Sequence, residues 1–218
     1  MIRIILVDDH AIVRSGYRRL LSAEPDFDVV GEAATVPEAN ALVQRVRPDV
    51  AVVDLSLKGS SGLEAIAGML ARQPGLRVLV LSMHDDAGHL TQALKAGAHG
   101  YLTKCSEPEE VIEAIRGVMR GRRMLSRDMQ ALDAAPSGSG DALHDLKPRE
   151  FELLRLLVHG ASVQDIATVM HLSPKTVLNY LTAIRQKLNA DNDFKLMHLA
   201  ARCGLVEFGT DACRVPAV

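Results

Sequence analysis

Five residues carry groups able to do chemistry together, and each follows a short apolar, β-branched run. Asp8 and Asp9 come after Arg3–Val7, Asp54 after Val50–Val53, Ser82 after Arg77–Leu81, and Lys104 after Gly100–Leu102 and Thr103. Three carboxylates held side by side cannot all stay ionised unless cations compensate them. Lys104 supplies one positive charge, and a hard divalent ion with oxygen ligands would supply the rest. Mg2+ suits the set, because it takes one or two carboxylates and keeps waters or phosphate oxygens in its shell. A carboxylate beside such an ion and an ammonium is equipped for phosphoryl transfer: the cations neutralise the transferring oxygens, and the carboxylate attacks to give an aspartyl phosphate. Any single Asp could equally cap a helix or solvate a turn, but that is a poor account of five polar groups at successive strand ends. The chain has no GxxxxGK[ST] loop and no GxGxxG, so tight nucleotide binding is not expected.

The elements that must position these groups are legible over residues 1–120. Strand-like runs at Arg3–Val7, Asp28–Gly31, Val50–Val53, Arg77–Leu81 and Gly100–Leu102 alternate with helical patterns near 11–22, 36–45, 62–72, 87–96 and 107–119. Val111, Ile112 and Ile115 share one face of the last, with Pro108 suited to its first turn. Five strands alternating with five helices predict an α/β fold, a doubly wound parallel sheet, because parallel neighbours need crossover helices. The strands are nearly continuous apolar runs, as burial on both faces requires. In such sheets ligands bind beyond the carboxyl ends of the strands, where the five polar groups fall.

The pattern lapses over 121–145, which reads as a linker: residues 134–141 are Ala-Ala-Pro-Ser-Gly-Ser-Gly-Asp, and the preceding Ser126–Ala135 reads as a short helix. Beyond it the strand signal vanishes, and 146–210 reads as a small all-α domain of four helices. Pro148–Val158 places Phe151, Leu154, Leu157 and Val158 on an apolar side, with Gly160 as its stop. Val163–Met170 makes a second helix. Ser173-Pro174 provides an N-cap and a first-turn proline for a third, running to about Leu188, and Asp193–Cys203 makes the fourth. Two helices joined by His171-Leu172-Ser173 suggest a helix-turn-helix. On the third helix Val177, Leu181, Ile184 and Leu188 form one narrow stripe. Lys175, Asn179, Thr182 and Gln186 lie opposite, with Leu178 and Arg185 at the flanks. That second face is free of acids and could reach base edges or phosphates; an ordinary solvated face would look the same.

Charge and composition narrow the classes. Net charge is −2, with 13 Lys/Arg against 16 Asp/Glu in residues 1–120 and 8 against 5 in 147–202. An acidic front and a mildly basic back fit a cation-binding half and a polyanion-binding half. No apolar run approaches the ~18–20 residues needed to cross a bilayer, and Met1–Val7 meets Asp8 too soon for a signal peptide. The three cysteines, Cys105, Cys203 and Cys213, have no CxxC spacing, and the eight histidines are scattered without a ligand-like cluster. A cytoplasmic chain with no membrane partner is expected.

The Asp8-Asp9 pair, Asp54, the Ser82 hydroxyl, and Lys104 after Gly100-Tyr101-Leu102-Thr103 together resemble a flavodoxin-like response-regulator receiver domain over the whole of residues 1–120. The resemblance implies that Asp54 accepts a phosphoryl group from the phosphohistidine of a sensor histidine kinase. Asp9 and Asp54 with the Ser56 backbone carbonyl would bind Mg2+, and Asp8 would act through water. Ser82 and Lys104 would grip the phosphoryl oxygens, and Tyr101 matches the aromatic switch position. Leu57-Lys58 stand where relatives commonly have Met-Pro, and Cys105 stands where many have proline; Cys105 is expected to pack as a small residue rather than to sense redox state.

Residues 146–203 resemble the LuxR-type domain of the NarL/FixJ class. Leu146-Lys147-Pro148-Arg149-Glu150 matches its opening and Leu172-Ser173-Pro174-Lys175-Thr176-Val177 its entry to the recognition helix. This implies that Val177–Leu188 enters a major groove, and that the protein works as a homodimer on paired half-sites of double-stranded DNA, with the dimer contact near Leu196–Ala200. Leu178 stands where relatives often carry Lys or Arg two residues after Thr176, so weaker binding and a shallower salt dependence are expected. The expected function is a two-component transcriptional regulator, not an enzyme. One alternative is a response regulator that acts through protein contacts, with DNA binding weakened or lost. A Mg2+-dependent phosphohydrolase is disfavoured, because Ser56 rather than a second carboxylate lies two residues after Asp54.

Overall fold

The structure is a computed structural model that describes residues 1–57, 60–134, 143, 145–202 and 205. The Gly/Ser stretch from 135, Lys58, Cys203 and residues 206–210 of the expected second domain lie outside the described residues. The front half runs β1 (Ile2–Val7), α1 (Ala11–Leu21), β2 (Phe27–Ala33), α2 (Val36–Val46), β3 (Val50–Val53), β4 (Ser56–Leu57), β5 (Ser60–Ser61), α3 (Gly62–Arg72), β6 (Arg77–Ser82), α4 (Ala87–Lys95), β7 (Gly100–Thr103) and α5 (Pro108–Met119). It is followed by β8 (Met124–Leu125) and α6 (Arg127–Ala134), then by α7 (Pro148–Val158), α8 (Val163–Val169), α9 (Pro174–Lys187) and α10 (Asp193–Arg202).

Six strands form one parallel sheet in the order β2-β1-β3-β6-β7-β8. This is the flavodoxin-like doubly wound arrangement, with its order reversal between β1 and β3. Leu21 of α1 and Val111, Ala114, Ile115 and Val118 of α5 pack on one face of the sheet with Ile4, Leu6 and Val52. Helices α2, α3 and α4 cover the other, through Leu42, Val43, Ile66, Met69 and Leu90. Alternate residues of β1 therefore serve opposite cores, which is why the strand reads as a continuous apolar run. The sequence pattern locates every central strand and helix to within about two residues. It does not anticipate the antiparallel pair β4–β5, nor β8, whose two residues pair with Gly100 and Tyr101 within the segment read as linker.

The core of the back half is built from Phe151, Leu154, Ile166, Val177, Leu181, Ile184, Leu196 and Ala200, all buried. Helix α9 starts as expected: the Ser173 hydroxyl accepts from the Thr176 N–H at 3.1 Å and Pro174 occupies the first turn. Helix α7 stops at Gly160, whose φ of +88° only glycine adopts freely. The two halves pack together. Arg149 Nε donates to Glu64 Oε1 at 2.7 Å, Gln92 Nε2 donates to the Leu143 carbonyl, and the Phe151 ring meets His89 edge-on at 5.0 Å.

Candidate functional site

At the carboxyl ends of β1, β3 and β7 the chain leaves the sheet into three polar groups that converge. Lys104 Nζ donates to Asp8 Oδ2 and to Asp54 Oδ2, each at 2.7 Å. Asp54 is 3% exposed. Its burial pushes its carboxyl pKa up, while the Lys104 ammonium and the Ser56 N–H, 3.1 Å from Oδ1, pull it back. Burial alone would lower the Lys104 pKa, but the two carboxylates outweigh it and hold the ammonium charged. An ionised, desolvated carboxylate with one cation on it is what a nucleophile toward phosphorus needs.

The carboxylates of Asp8, Asp9 and Asp54 and the His10 ring offer ligand atoms that all lie within 4.8 Å of one another. Hard oxygen donors at that spacing fit a small divalent cation. His10 escaped the sequence reading. Its N–H donates to Asp8 Oδ1 at 2.7 Å and its Nδ1 sits 2.8 Å from Asp9 Oδ1, so it orients both acids. A polar residue two places after an Asp was the available signal.

Ser82, at the end of β6, is fully buried, and its Oγ accepts from the His84 N–H at 3.2 Å. Tyr101 is fully buried too, and its hydroxyl donates to the His84 carbonyl at 2.8 Å. His84 is thus gripped at both backbone groups, by the residue read as a phosphoryl ligand and by the one read as the aromatic switch, and its Nε2 lies 3.2 Å from Ser56 Oγ. Cys105 is exposed in the turn after β7, which corrects the expectation that it packs. The expectation that histidines form no cluster is likewise corrected, since ligand atoms of His84, Asp86 and His89 come within 4.8 Å of one another. Two of the three lie in a loop, where no periodicity reports which way side chains point.

Gly62 is a second residue the sequence reading missed. A methyl group there would collide with the Asp54 carbonyl oxygen and stand 2.5 Å from Leu55 Cα, both backbone atoms that cannot swing aside. Its N–H donates to the Leu55 carbonyl at 2.9 Å, seating the start of α3 against the residues after Asp54. Gly62→Ala is therefore expected to displace the Asp54 loop and slow phosphorylation on the order of tenfold to a hundredfold. Single-turnover labelling with a small phosphodonor reads this directly, and an unchanged rate would contradict the packing account.

On α9 the side chains of Lys175, Leu178, Asn179, Thr182 and Gln186 are exposed, whereas Thr176 and Arg185 are half-buried. The Thr176 hydroxyl pairs with Ser173 Oγ at 2.8 Å, the Thr182 hydroxyl donates back to the Leu178 carbonyl, and Arg185 is held by Asp193 at 2.7 Å. The face presented outward is thus even poorer in free cations than its sequence suggests. Leu196 and Ala200 are buried inside their own domain, while Phe194 of the same helix is 80% exposed. No helix among the described residues is long and apolar enough to cross a membrane.

A doubly wound sheet with an acid–lysine cluster at its order reversal, followed by a helix-turn-helix, is the two-part architecture of a receiver-like α/β module joined to a DNA-binding module. The comparisons agree. Residues 4–116 match the response regulator receiver domain model, and residues 144–200 match that of the bacterial regulatory proteins of the luxR family. The chain is 40% identical over 195 residues to the DNA-binding transcriptional activator DevR/DosR of Mycobacterium tuberculosis, covering 88% of this chain and 90% of that one. It is 35% identical over 209 residues to the response regulator UvrY of Escherichia coli, covering 94% and 96%. RcsB from Salmonella enterica serovar Typhimurium, solved bound to promoter rprA in the presence of phosphomimetic BeF3-, superposes with a TM-score of 0.67 at 27% identity, covering 92% and 98%. The chain belongs to the NarL/FixJ-class response regulators, DNA-binding transcription regulators with a receiver domain and a LuxR-type helix-turn-helix domain.

Proposed function

We propose that the chain is phosphorylated on Asp54 by a sensor histidine kinase with Mg2+, and that the phosphoryl group gates homodimerisation and sequence-specific binding to double-stranded DNA. The observation that carries this is the Lys104 ammonium shared by Asp8 and Asp54 at a buried strand end. Asp9, Asp54 and the Ser56 carbonyl would hold the metal, with Asp8 acting through water. A Mg2+ held by these oxygens would supply positive charge against the developing charge of the transferring phosphoryl group. An Asp54 oxygen attacks phosphorus, the P–N bond to the donor imidazole breaks, and that nitrogen keeps its electron pair and takes up a proton. Lys104 then transfers its hydrogen bonds from carboxylate to phosphoryl oxygen. Ser82 turns its hydroxyl toward the same group and lets go of the His84 N–H, which loosens the loop that Tyr101 grips. Sustained turnover of a phosphate ester is not expected, and with DNA as its target the protein would work in the cytoplasm.

We take residues 1–120 as the receiver, 121–145 as the linker and 146–210 as the DNA-binding domain. Lys175, Thr176, Leu178, Asn179, Thr182, Arg185 and Gln186 form its reading face, and the exposed Phe194 of α10 is suited to the dimer contact. The double substitution Lys175→Ala with Asn179→Ala is expected to weaken DNA binding about tenfold or more while phosphorylation proceeds at its normal rate. Gel shifts on a selected operator, run beside intact-mass measurements, check both halves.

A second reading keeps the phosphorylation chemistry and replaces DNA by a protein partner. It is favoured by Leu178, 52% exposed at the centre of the face, and by the Arg185–Asp193 pair. Selection of bound genomic fragments at two salt concentrations decides between them. Phosphorylated protein is compared with Asp54→Asn. A common motif enriched only by the former supports the first reading, and no enrichment with phosphorylation confirmed supports the second.

A further inference from the structure

The two halves line a cleft of about 540 Å3 beyond the carboxyl ends of the strands. Its floor includes Asp9 and the two residues that directly follow Asp54, Leu55 and Ser56. The opposite wall carries Arg155 and Leu156 of α7 and Met170 just after α8. The volume falls in the range of small-molecule sites. Two turns of helix with their side chains would displace roughly 1,000 Å3, so the cleft suits a small phosphodonor rather than an element of a protein.

Arg155 brings to this cleft a cation that the receiver does not own. Helix α7 is seated by Phe151 against His89, and Arg155 stands one turn further along the same face. Its Nε donates to Glu152 Oε2 at 3.2 Å, and Glu152 Oε1 lies 3.9 Å from His89 Nε2 of the receiver, so the arginine is held from both sides of the boundary. Among the described residues Glu152 is the sole partner of the guanidinium, which leaves the donors on both Nη groups to offer. Arg149, the other arginine of the cleft, is held by Glu64 and Tyr180. Lys104, bonded to Asp8 and Asp54, is the cation of the phosphoryl end, and Arg155 stands across the cleft from it.

We propose that Arg155 recognises the carboxylate that leaves a small acyl phosphate, so that the DNA-binding domain completes a donor site on the receiver. This rests on the reading of Asp54 as the phosphoacceptor. In the transfer an Asp54 oxygen attacks phosphorus, the bond from phosphorus to the bridging acyl oxygen breaks, and the carboxylate departs with the electron pair. No proton moves, so the departing oxygen takes on negative charge, and a guanidinium fixed beside it lowers the barrier. Leu156 and Met170 give the acyl chain an apolar wall. Phosphoramidate releases neutral ammonia and a phosphohistidine neutral imidazole, and neither needs that cation. Arg155 therefore biases the chain toward acyl phosphates, and a chain whose halves separate loses the bias.

The test is the initial rate of Asp54 labelling of the full chain, read by intact mass, with acetyl phosphate and with phosphoramidate in the presence of Mg2+. The readout is the ratio of the two specificity constants, from which any change in the acceptor itself cancels. Arg155→Gln is expected to lower that ratio roughly tenfold, the worth of one charge-assisted hydrogen bond, and Arg155→Lys to keep the greater part of it. Phe151→Ala, which unseats α7, should lower the ratio as far as Arg155→Gln does. A ratio unchanged in Arg155→Gln or in Phe151→Ala, equal losses with both donors, or a lysine variant no better than the glutamine one would each overturn the proposal. Wild type labelled by neither donor would overturn the reading of Asp54 and the proposal with it.

Discussion

Asp54→Asn is expected to abolish phosphoryl incorporation from small donors and from a kinase alike, and to leave the fold intact. The amide is isosteric and keeps an oxygen to accept the Ser56 N–H, but it has no charge with which to attack phosphorus. Stability should not suffer, because burial already disfavours the Asp54 charge and Lys104 retains its bond to Asp8. Intact mass after treatment with a phosphodonor and Mg2+ reads the first effect, and a thermal melt reads the second. Stoichiometric labelling of the variant would remove Asp54 from its role, and a collapse of the melt would mean the carboxylate holds the strand end together.

Phe151→Ala should unfold the DNA-binding half while the receiver goes on being phosphorylated. Phe151 is fully buried and lies where the core of α7–α9 meets His89. Truncating a buried Phe costs about 3–5 kcal/mol. A domain of about 65 residues has a total stability of only ~3–10 kcal/mol. The loss therefore consumes a large part or all of it, whereas the receiver keeps both faces of its sheet packed. Melting followed by circular dichroism is expected to split into a lowered transition and a near-normal one, with gel shifts lost and labelling kept. A single transition, lowered as a whole, would mean that the two halves fold as one unit.

The receiver was legible because its physics is periodic and local. A strand buried on both faces must be a continuous apolar run, so Val50–Val53 declares its own end, and Asp54 follows directly. Ser173-Pro174 announces α9 in the same local way. What stayed hidden is non-local or aperiodic. Gly62 matters because α3 begins against the Asp54 carbonyl, a closeness that no property of its own neighbours encodes. His89 reads as one polar residue on an amphipathic helix; that it faces Glu152, far along the chain, depends on how the halves pack. Leu196 and Ala200 belong to the right helix for a dimer contact, yet they point inward and leave Phe194 outside, a rotation that a short pattern underdetermines. β8 is two residues long, too short for alternation to register.

The openness of the α9 face has a consequence for how such a protein answers its signal. Lys175, Asn179 and Gln186 stand in solvent while α7 packs against α4 through Phe151 and His89, so these side chains are exposed in the packed chain. On the proposed function, uncovering these side chains would not be what separates the silent from the speaking form. The silent form would then be free to sample half-sites one at a time, each visit brief. Under the proposed gating by dimerisation, what the signal would change is the number of arms: joining two copies would turn the second encounter into an intramolecular one, with the gain set by effective concentration rather than by any new contact with a base. Response would then scale steeply with cellular copy number and with the spacing of half-sites. A regulator of this design is tuned as readily by moving its operators as by altering its helix.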